Sequence, residues 1–373
     1  MSTRAVITGG GGFIGGLLAR HLLRAPIRIG GTHETAIDEL ILVDLVAPQA
    51  DITADSRVRT VIGDLQATLP ELGEADVIFH LAGVVSGAAE ADFDLGMRTN
   101  VDGTRALLEH ARRQRVPPVL VFASSLAVFG SDPAIGPIGI VNDETLPRPQ
   151  SSYGIQKFVG EQFVADYTRK GFVRGRSVRL MTVSVRPGKP NAAVSSFMSS
   201  IIREPLAGKP AACPVQPDTP IALSSARRTL RGIMRAATVS ETTWGSRTAM
   251  NLPALSTTPR EMAAALDRVA GHGSSALIDW VEDPAIAAVV MSWPARFVTL
   301  RAHRLGLMAD QSFDDIVREY ITDNLGATAD AHLPRRHLSC PGNQVGLRRA
   351  GRLGRQPGTP DRLARQPQYD TNR

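Results

Sequence analysis

Over residues 1–190, short apolar runs alternate with longer stretches whose apolar residues recur at helical spacing. RAVITG (4–9), ELILVDLV (39–46), RVRTVIGDL (57–65), DVIFHLAG (76–83), PVLVFASS (118–125) and SVRLMTVSVRPG (177–188) read as strands. GFIGGLLARHLLR (12–24), MRTNVDGTRALLEHARRQ (97–114) and SYGIQKFVGEQFVADYTRK (152–170) read as helices. Strands alternating with helices predict a parallel sheet covered on both faces. Nearly continuous apolar strands fit burial on both sides.

Beyond about residue 190 the pattern loosens, and Pro and Gly become frequent in REPLAGKPAACPVQPDTP (203–220). Two good helices remain. One is TPREMAAALDRVAG (258–271), with Thr258 as N-cap and Gly271 as stop. The other is SFDDIVREYITDNLG (312–326), capped by Ser312 and ended by Gly326. The expected organisation is a first domain over 1–190, a smaller substrate-binding region over 191–328, and a tail over 331–373. That tail has no hydrophobic period and no lysine, and it reads as disordered. A segment binding an acidic partner, or a frameshifted end, are the other readings.

Charge changes the picture only through this tail. Residues 331–373 hold nine Arg and two Asp, a net +7 against +6 for the whole chain, which leaves −1 for residues 1–330. The body therefore gives no reason to expect nucleic acid. Cys213 and Cys340, the two cysteines, are far apart in unrelated contexts. That argues against a disulfide framework and against a zinc site, so no metal is expected. No apolar stretch approaches the roughly 18–20 residues of a membrane-spanning helix. The chain opens on a strand-like run, without the pattern of a signal peptide. The expected location is cytoplasmic.

Candidate chemistry starts at TGGGGFIG (8–15), where Gly9, Gly12 and Gly15 stand three apart between a strand and a helix. Glycine is needed there for a tight turn, for backbone contact with a pyrophosphate, and for close helix–strand packing. The phosphates then rest on the free N–H groups of the helix. Asp44 ends the second strand, where a carboxylate bonds ribose hydroxyls and repels a 2′-phosphate, favouring NAD over NADP. It lies 29 residues after Gly15, and the polar stretch RIGGTHETAID (28–38) is expected to loop out. Asp64, at the end of the third strand, reads as a turn residue within reach of an adenine edge. The fold class is α/β, a Rossmann-type doubly wound parallel sheet with a smaller C-terminal substrate-binding portion.

With a dinucleotide in place, SSYGIQK (151–157) changes meaning. Tyr153 and Lys157 are one helical turn apart on one face. A free tyrosine is a poor base at neutral pH, but a nearby ammonium favours its phenolate. Tyr153 is then the base, Lys157 its activator, and Ser125 the hydrogen-bond partner of the substrate oxygen. Only four lysines occur in the chain (157, 170, 189 and 209), so a chance lysine at this spacing is improbable. His80, at a strand end, reads as structural or near the cofactor, and not as a base.

TGGGGFIG, the Asp64-Leu65 pair, HLAG (80–83), Asn100, SSLAVFG (124–130), Y-x-x-x-K (153–157) and RPG (186–188) resemble the extended short-chain dehydrogenase/reductases, the NAD-dependent epimerase/dehydratase family. The resemblance covers roughly residues 3–325. It implies a Rossmann domain with a small substrate domain, commonly as a homodimer. It implies NAD contacts from Gly9, Gly12, Phe13, Ile14, Gly15, Asp44, Asp64, Leu65, Leu81, Ala82, Asn100, Tyr153 and Lys157, and selects Ser125 over Ser124 as catalytic. The family's usual H-L-A-A ends here in Gly83.

The segment VRPGKPNAAVSSF (185–197) departs from the nucleotide-sugar enzymes and clusters Arg186, Lys189, Asn191, Ser195 and Ser196. Such groups suit a small hydroxylated carboxylate. Here the chain is similar to a sugar-acid-oxidising branch of the family, the D-erythronate dehydrogenases. That resemblance implies NAD-dependent oxidation of the C2 hydroxyl of D-erythronate to the 2-oxo acid. Ser86, Ser125, Tyr153, Arg186, Lys189 and Asn191 are the expected substrate contacts, and Arg186 or Lys189 is the carboxylate clamp. The basic segment TPIALSSARRTLRGIMRAA (219–237) departs from that branch, and a displaced helix is expected there. The alternatives are a nucleotide-sugar 4-epimerase or dehydratase, a non-catalytic NAD-binding regulator, and an inactive relative.

Overall fold

A computed structural model describes residues 2–189, 193–271 and 273–326. The first part of the chain runs β1 (Arg4–Thr8), α1 (Phe13–Arg24), β2 (Glu39–Asp44), α2 (Ala50–Thr53), β3 (Val58–Ile62), α3 (Leu65–Leu72), β4 (Val77–His80), α4 (Ser86–Ala91) and α5 (Phe93–Gly96). A π-helical turn (Met97–Asp102) leads into α6 (Gly103–Ala111), β5 (Val119–Ser125), β6 (Ile140–Val141), α7 (Ser152–Arg169) and β7 (Arg174–Leu180). Next come β8 (Thr182–Val183), α8 (Phe197–Leu206), β9 (Ala211–Cys213), β10 (Ile221–Ser224), α9 (Ala226–Thr238), α10 (Glu241–Trp244), β11 (Met250–Asn251) and β12 (Leu255–Thr257). The last elements are α11 (Pro259–Ala270), β13 (Ile278–Trp280), α12 (Pro284–Ser292), β14 (Arg296–Phe297), α13 (Leu300–Arg304) and α14 (Phe313–Asn324).

Seven strands among the described residues form one parallel sheet, in the order β11-β7-β5-β4-β1-β2-β3. The order reverses between β1 and β4, which opens a crevice at the carboxyl ends of those strands. Strand residues such as Ile7, Leu40, Leu42, Phe79 and Phe122 are fully buried. That is the physical reason the strands read as unbroken apolar runs.

Three features differ from the sequence expectation. Residues 28–38 do not simply loop out. Ile29 and Ile37, with the neighbouring Ile27, are buried in the core, and Ile27 bridges to Thr35. The helix expected over 97–114 begins as a π turn, a common device at functional sites. The strand expected over 177–188 breaks at Met181. Its continuation, β8, leaves the large sheet and joins a small one of order β12-β10-β8.

A second core gathers around α8, α11 and α14, with Phe197, Ile201, Met262, Leu266, Phe313 and Val317. Thr258 and Ser312 cap α11 and α14 as expected, accepting from the N–H groups of Glu261 and Asp315. The basic segment 226–238 is the regular helix α9, capped by Ser225. It packs on β5 and β7 as part of the sheet's helical cover. No described helix is long and apolar enough to cross a membrane. The tail at 331–373 lies outside the described residues.

Candidate active site

The glycine loop lies at the crevice. Gly9 has φ +77°, and a Cβ there would come within 2.8 Å of Ala82 N. A Cβ on Gly15 would overlap the carbonyl oxygen of Gly9. Only glycine lets β1 turn, approach β4 and meet α1 in this space. Thr8 locks the same point, its carbonyl accepting from Leu81 N at 3.1 Å and its hydroxyl from Ala82 N at 3.3 Å. Gly12 precedes α1 without any side-chain cap, so the first N–H groups of that helix remain available. A cleft of about 750 Å³ runs over Gly10, Gly11, Gly12 and Phe13. These residues fit a dinucleotide pyrophosphate.

Asp44 ends β2 beside the glycine loop. Its carboxylate accepts from Gly11 N at 2.9 Å and Val46 N at 3.2 Å, which fixes it against the glycine loop. Asp64 caps α3, accepting from Gln66 N at 2.9 Å, and Leu65 opens that helix. Asn100, in the π turn, bonds the backbone of Val84 through both amide atoms, at 2.8 and 3.1 Å, and donates to Gln156 at 2.7 Å. It thereby holds the strand-to-helix loop 81–85 that borders the site. His80 is structural, as expected. Its ring nitrogens meet the hydroxyls of Thr8 at 2.7 Å and Thr104 at 2.9 Å. Burial, with the charge of Lys157, pushes its pKa down to about 3.

A cavity of about 210 Å³ joins the Ser–Tyr–Lys set to the cofactor side. Ile14, Leu81 and Gly83 line one end, and Ser86, Ser125, Tyr153, Lys157, Thr182, Arg186, Ser195 and Trp293 line the rest. Ser125 ends β5, and its Oγ accepts from Ala127 N at 3.1 Å. Tyr153 lies in the first turn of α7, which Ser151 caps. Gly154 explains how the two meet, since a Cβ there would overlap the carbonyl oxygen of Ala127. The start of the helix therefore rests directly on the turn after Ser125.

Burial pushes the Tyr153 phenol up, opposed by its hydrogen bond with Ser125 and by the charge of Arg186. Lys157 is buried, its Nζ 5.0 Å from the Phe122 ring centroid and 5.8 Å from that of Tyr153. Burial brings its pKa down to about 8, against the opposing charge of Glu161.

Arg186 faces the same cavity from the loop after β8. Its backbone is held on both sides by α8. The N–H donates to Ser199 Oγ at 3.0 Å, and the carbonyl accepts from Arg203 Nη1 at 2.8 Å. Burial lowers its pKa, and Tyr153 is the neighbour that opposes this. Ser86 is buried at the start of α4 and accepts from Val194 N at 3.3 Å. Lys189 is exposed and absent from the cavity lining, and Asn191 lies outside the described residues. Sequence reasoning missed the Arg203 and Ser199 supports, whose signal is only long-range. Among the described residues, no three His, Cys, Asp or Glu side chains gather to hold a metal ion.

Comparison with known proteins gives a consistent picture. The model of the NAD dependent epimerase/dehydratase family matches residues 5–228. The D-erythronate dehydrogenase of Cupriavidus necator is 48% identical over 323 residues, covering 85% of this chain and 98% of the relative. That of Haemophilus influenzae is 41% identical over 322 residues, with the same coverage, 85% and 98%. Among solved structures, a nucleoside-diphosphate-sugar epimerase from Agrobacterium tumefaciens superposes with a TM-score of 0.79 at 36% identity, over 88% of this chain and 96% of that one. With the glycine loop at the sheet's reversal point and Ser125, Tyr153 and Lys157 around one cavity, the chain belongs to the NAD-dependent epimerase/dehydratase family.

Proposed function

We propose that the protein is an NAD-dependent dehydrogenase that oxidises the C2 hydroxyl of a small sugar acid, D-erythronate foremost, to the 2-oxo acid. The observation that carries this reading is Arg186. It puts a guanidinium beside Tyr153 in a cavity of about 210 Å³. Pockets for drug-sized ligands span roughly 300–1,000 Å³, so the space suits a four-carbon acid. The two D-erythronate dehydrogenases, alike over nearly their whole length, support the same choice.

In this reading Arg186 takes the substrate carboxylate in a bidentate pair, which fixes C2 relative to Tyr153. Ser125 bonds the C2 oxygen, with Ser86 and Ser195 offering partners to the remaining hydroxyls. Tyr153 accepts the C2 hydroxyl proton. The ammonium of Lys157 and the guanidinium of Arg186 favour the phenolate against the burial that disfavours it. The residues around Gly9–Gly15, with Asp44, would hold NAD, which when bound supplies the acceptor for the hydride from C2. A homodimer and a cytoplasmic location belong to the same reading.

A nucleotide-sugar epimerase or dehydratase is the rival, in keeping with the nucleoside-diphosphate-sugar epimerase from Agrobacterium tumefaciens. It needs room for a nucleoside diphosphate beside Arg186. The test is NADH formation with a panel of four- and five-carbon aldonates, run beside UDP-sugars, with Tyr153→Phe as control. Activity on D-erythronate that falls at least ~10³-fold in the variant supports the proposal. Isomerisation of a UDP-sugar with no turnover of any aldonate overturns it.

A further inference from the structure

A buried ion pair behind the cavity has no part in the chemistry described so far. Glu161 on α7 and Arg179 at the end of β7 meet through two bonds, Nε–Oε1 at 2.8 Å and Nη2–Oε2 at 2.7 Å. Their side chains are 2% and 8% exposed. The Ser124 hydroxyl donates to the same carboxylate. Arg179 also reaches Asn251 Oδ1 at 3.3 Å and lies 4.8 Å from the Phe129 ring centroid. The cluster joins β5, α7, β7 and β11.

Both ends of the cluster adjoin the site. Ser124 immediately precedes Ser125, and Glu161 follows Lys157 by one turn on the same helix face. Stability alone is a weak reason for such a pair, because well-packed apolar residues commonly serve as well. We propose that Glu161 is a positioning residue for Ser125, Tyr153 and Lys157. Its carboxylate ties the strand end carrying Ser125 to the helix carrying the other two, and it keeps Lys157 in its ammonium form. This rests on the catalytic reading given above.

The groups that face Lys157 make the charge effect readable. Tyr153 and Glu161 lie on its own helix. His80 approaches from β4 and is held neutral by burial. Asn100 comes from the π turn, and Arg186 acts across Tyr153 from the loop after β8, while Arg179 on β7 is paired to Glu161. Glu161 is the charge that favours the ammonium. Neutralising Glu161 removes that support and leaves Arg179 an unpaired cation, so both changes disfavour the ammonium. Removing Arg179 leaves Glu161 unpaired and favours it. The two substitutions act in opposite directions, which a purely structural prop would not produce.

The experiment is an NMR titration of the full chain carrying an isotope label at lysine Cε. Only four lysines are present, so the Lys157 signal is assigned by its loss in Lys157→Met. The wild-type midpoint is expected near 8. Glu161→Gln should lower it by about 1 unit, and Arg179→Met, the more distant charge, should raise it by about half as much. Midpoints within about 0.2 unit of wild type in both variants overturn the proposal. Should a single variant fail to fold, Glu161→Gln/Arg179→Met removes both charges together. Its midpoint is expected below wild type, because the carboxylate is the group one turn from Lys157, and an unmoved midpoint overturns the proposal. Tyr153→Phe is assayed in parallel for turnover. If it keeps activity, the catalytic reading itself fails. If it is inactive while the Lys157 midpoint never moves, only the role of Glu161 fails.

Discussion

The two walls of the site, the glycine-loop cleft and the cavity beside Tyr153, are held by different physics. On the cofactor side the backbone does the shaping. Gly9 and Gly15 exist because no Cβ fits between β1, β4 and α1, and Asp44 bonds loop N–H groups rather than side chains. On the substrate side, side chains do it. Arg186 is placed by Ser199 and Arg203 on α8, a helix that belongs to the second core. A wall defined by backbone is read from local spacing. A wall defined by side chains depends on contacts between distant segments, and it is free to change substrate while the first wall stays fixed.

The largest effect should separate two kinds of glycine on the cofactor wall. Gly15→Ala drives a Cβ into rigid backbone, so a loss of about 2–3 kcal/mol in stability is expected, with loss of NAD binding. Gly12→Ala meets Gly9 O at 3.3 Å, a contact that a small shift relieves. Its stability should stay within about 0.5 kcal/mol of wild type. NAD binding should still weaken at least ~10-fold, because the methyl occupies the phosphate approach. Thermal unfolding and NADH fluorescence titration read both quantities. Equal losses in both variants would erase the distinction.

Lys157 sits where the walls meet. Its folded pKa of about 8 lies below the ordinary 10.5. Between those values the unfolded chain holds a proton that the folded protein has shed, so stability rises with pH from about 8 to 10.5. Below about pH 8 the buried charge is a full cost. Lys157→Met should therefore abolish turnover and yet stabilise the protein at pH 7, by as much as ~3 kcal/mol. The gain should fade as pH rises through that window. Urea unfolding at pH 7 and pH 10 checks the sign, and a destabilised variant at pH 7 would contradict it. The smallest effect belongs to Lys189, which is exposed and outside the cavity lining. Lys189→Ala should change kcat/KM for the aldonate by less than about 2-fold, and a larger drop would restore it as a clamp.

The same contrast explains what was legible in the sequence. Strands buried on both faces announce themselves as apolar runs, and the glycine loop, Asp44 and the Tyr153–Lys157 spacing are local. The stretch 28–38 is a loop, as its polar residues indicate, but those residues mask two isoleucines that face the core. The break at Met181 was invisible, since β7 and β8 are one apolar run that changes partner. Glu161 and Arg179 look like surface charges in sequence, and only the fold puts them together away from water. Arg186 could be named as a clamp from its neighbours, but its supports, 13 and 17 residues further on, could not.

The most direct measurement compares kcat/KM for D-erythronate with that for erythritol, the same carbon chain without a carboxylate, in wild type and in Arg186→Met. Losing one partner of a close guanidinium–carboxylate pair costs roughly 2–5 kcal/mol, or about 30-fold in discrimination at the lower end. Wild type should show at least that preference for the acid. Arg186→Met should lose it through a raised KM for D-erythronate, with NAD affinity unchanged. A variant that keeps the full preference, or a wild type that turns over erythritol equally well, would contradict the assignment of this wall to a carboxylate.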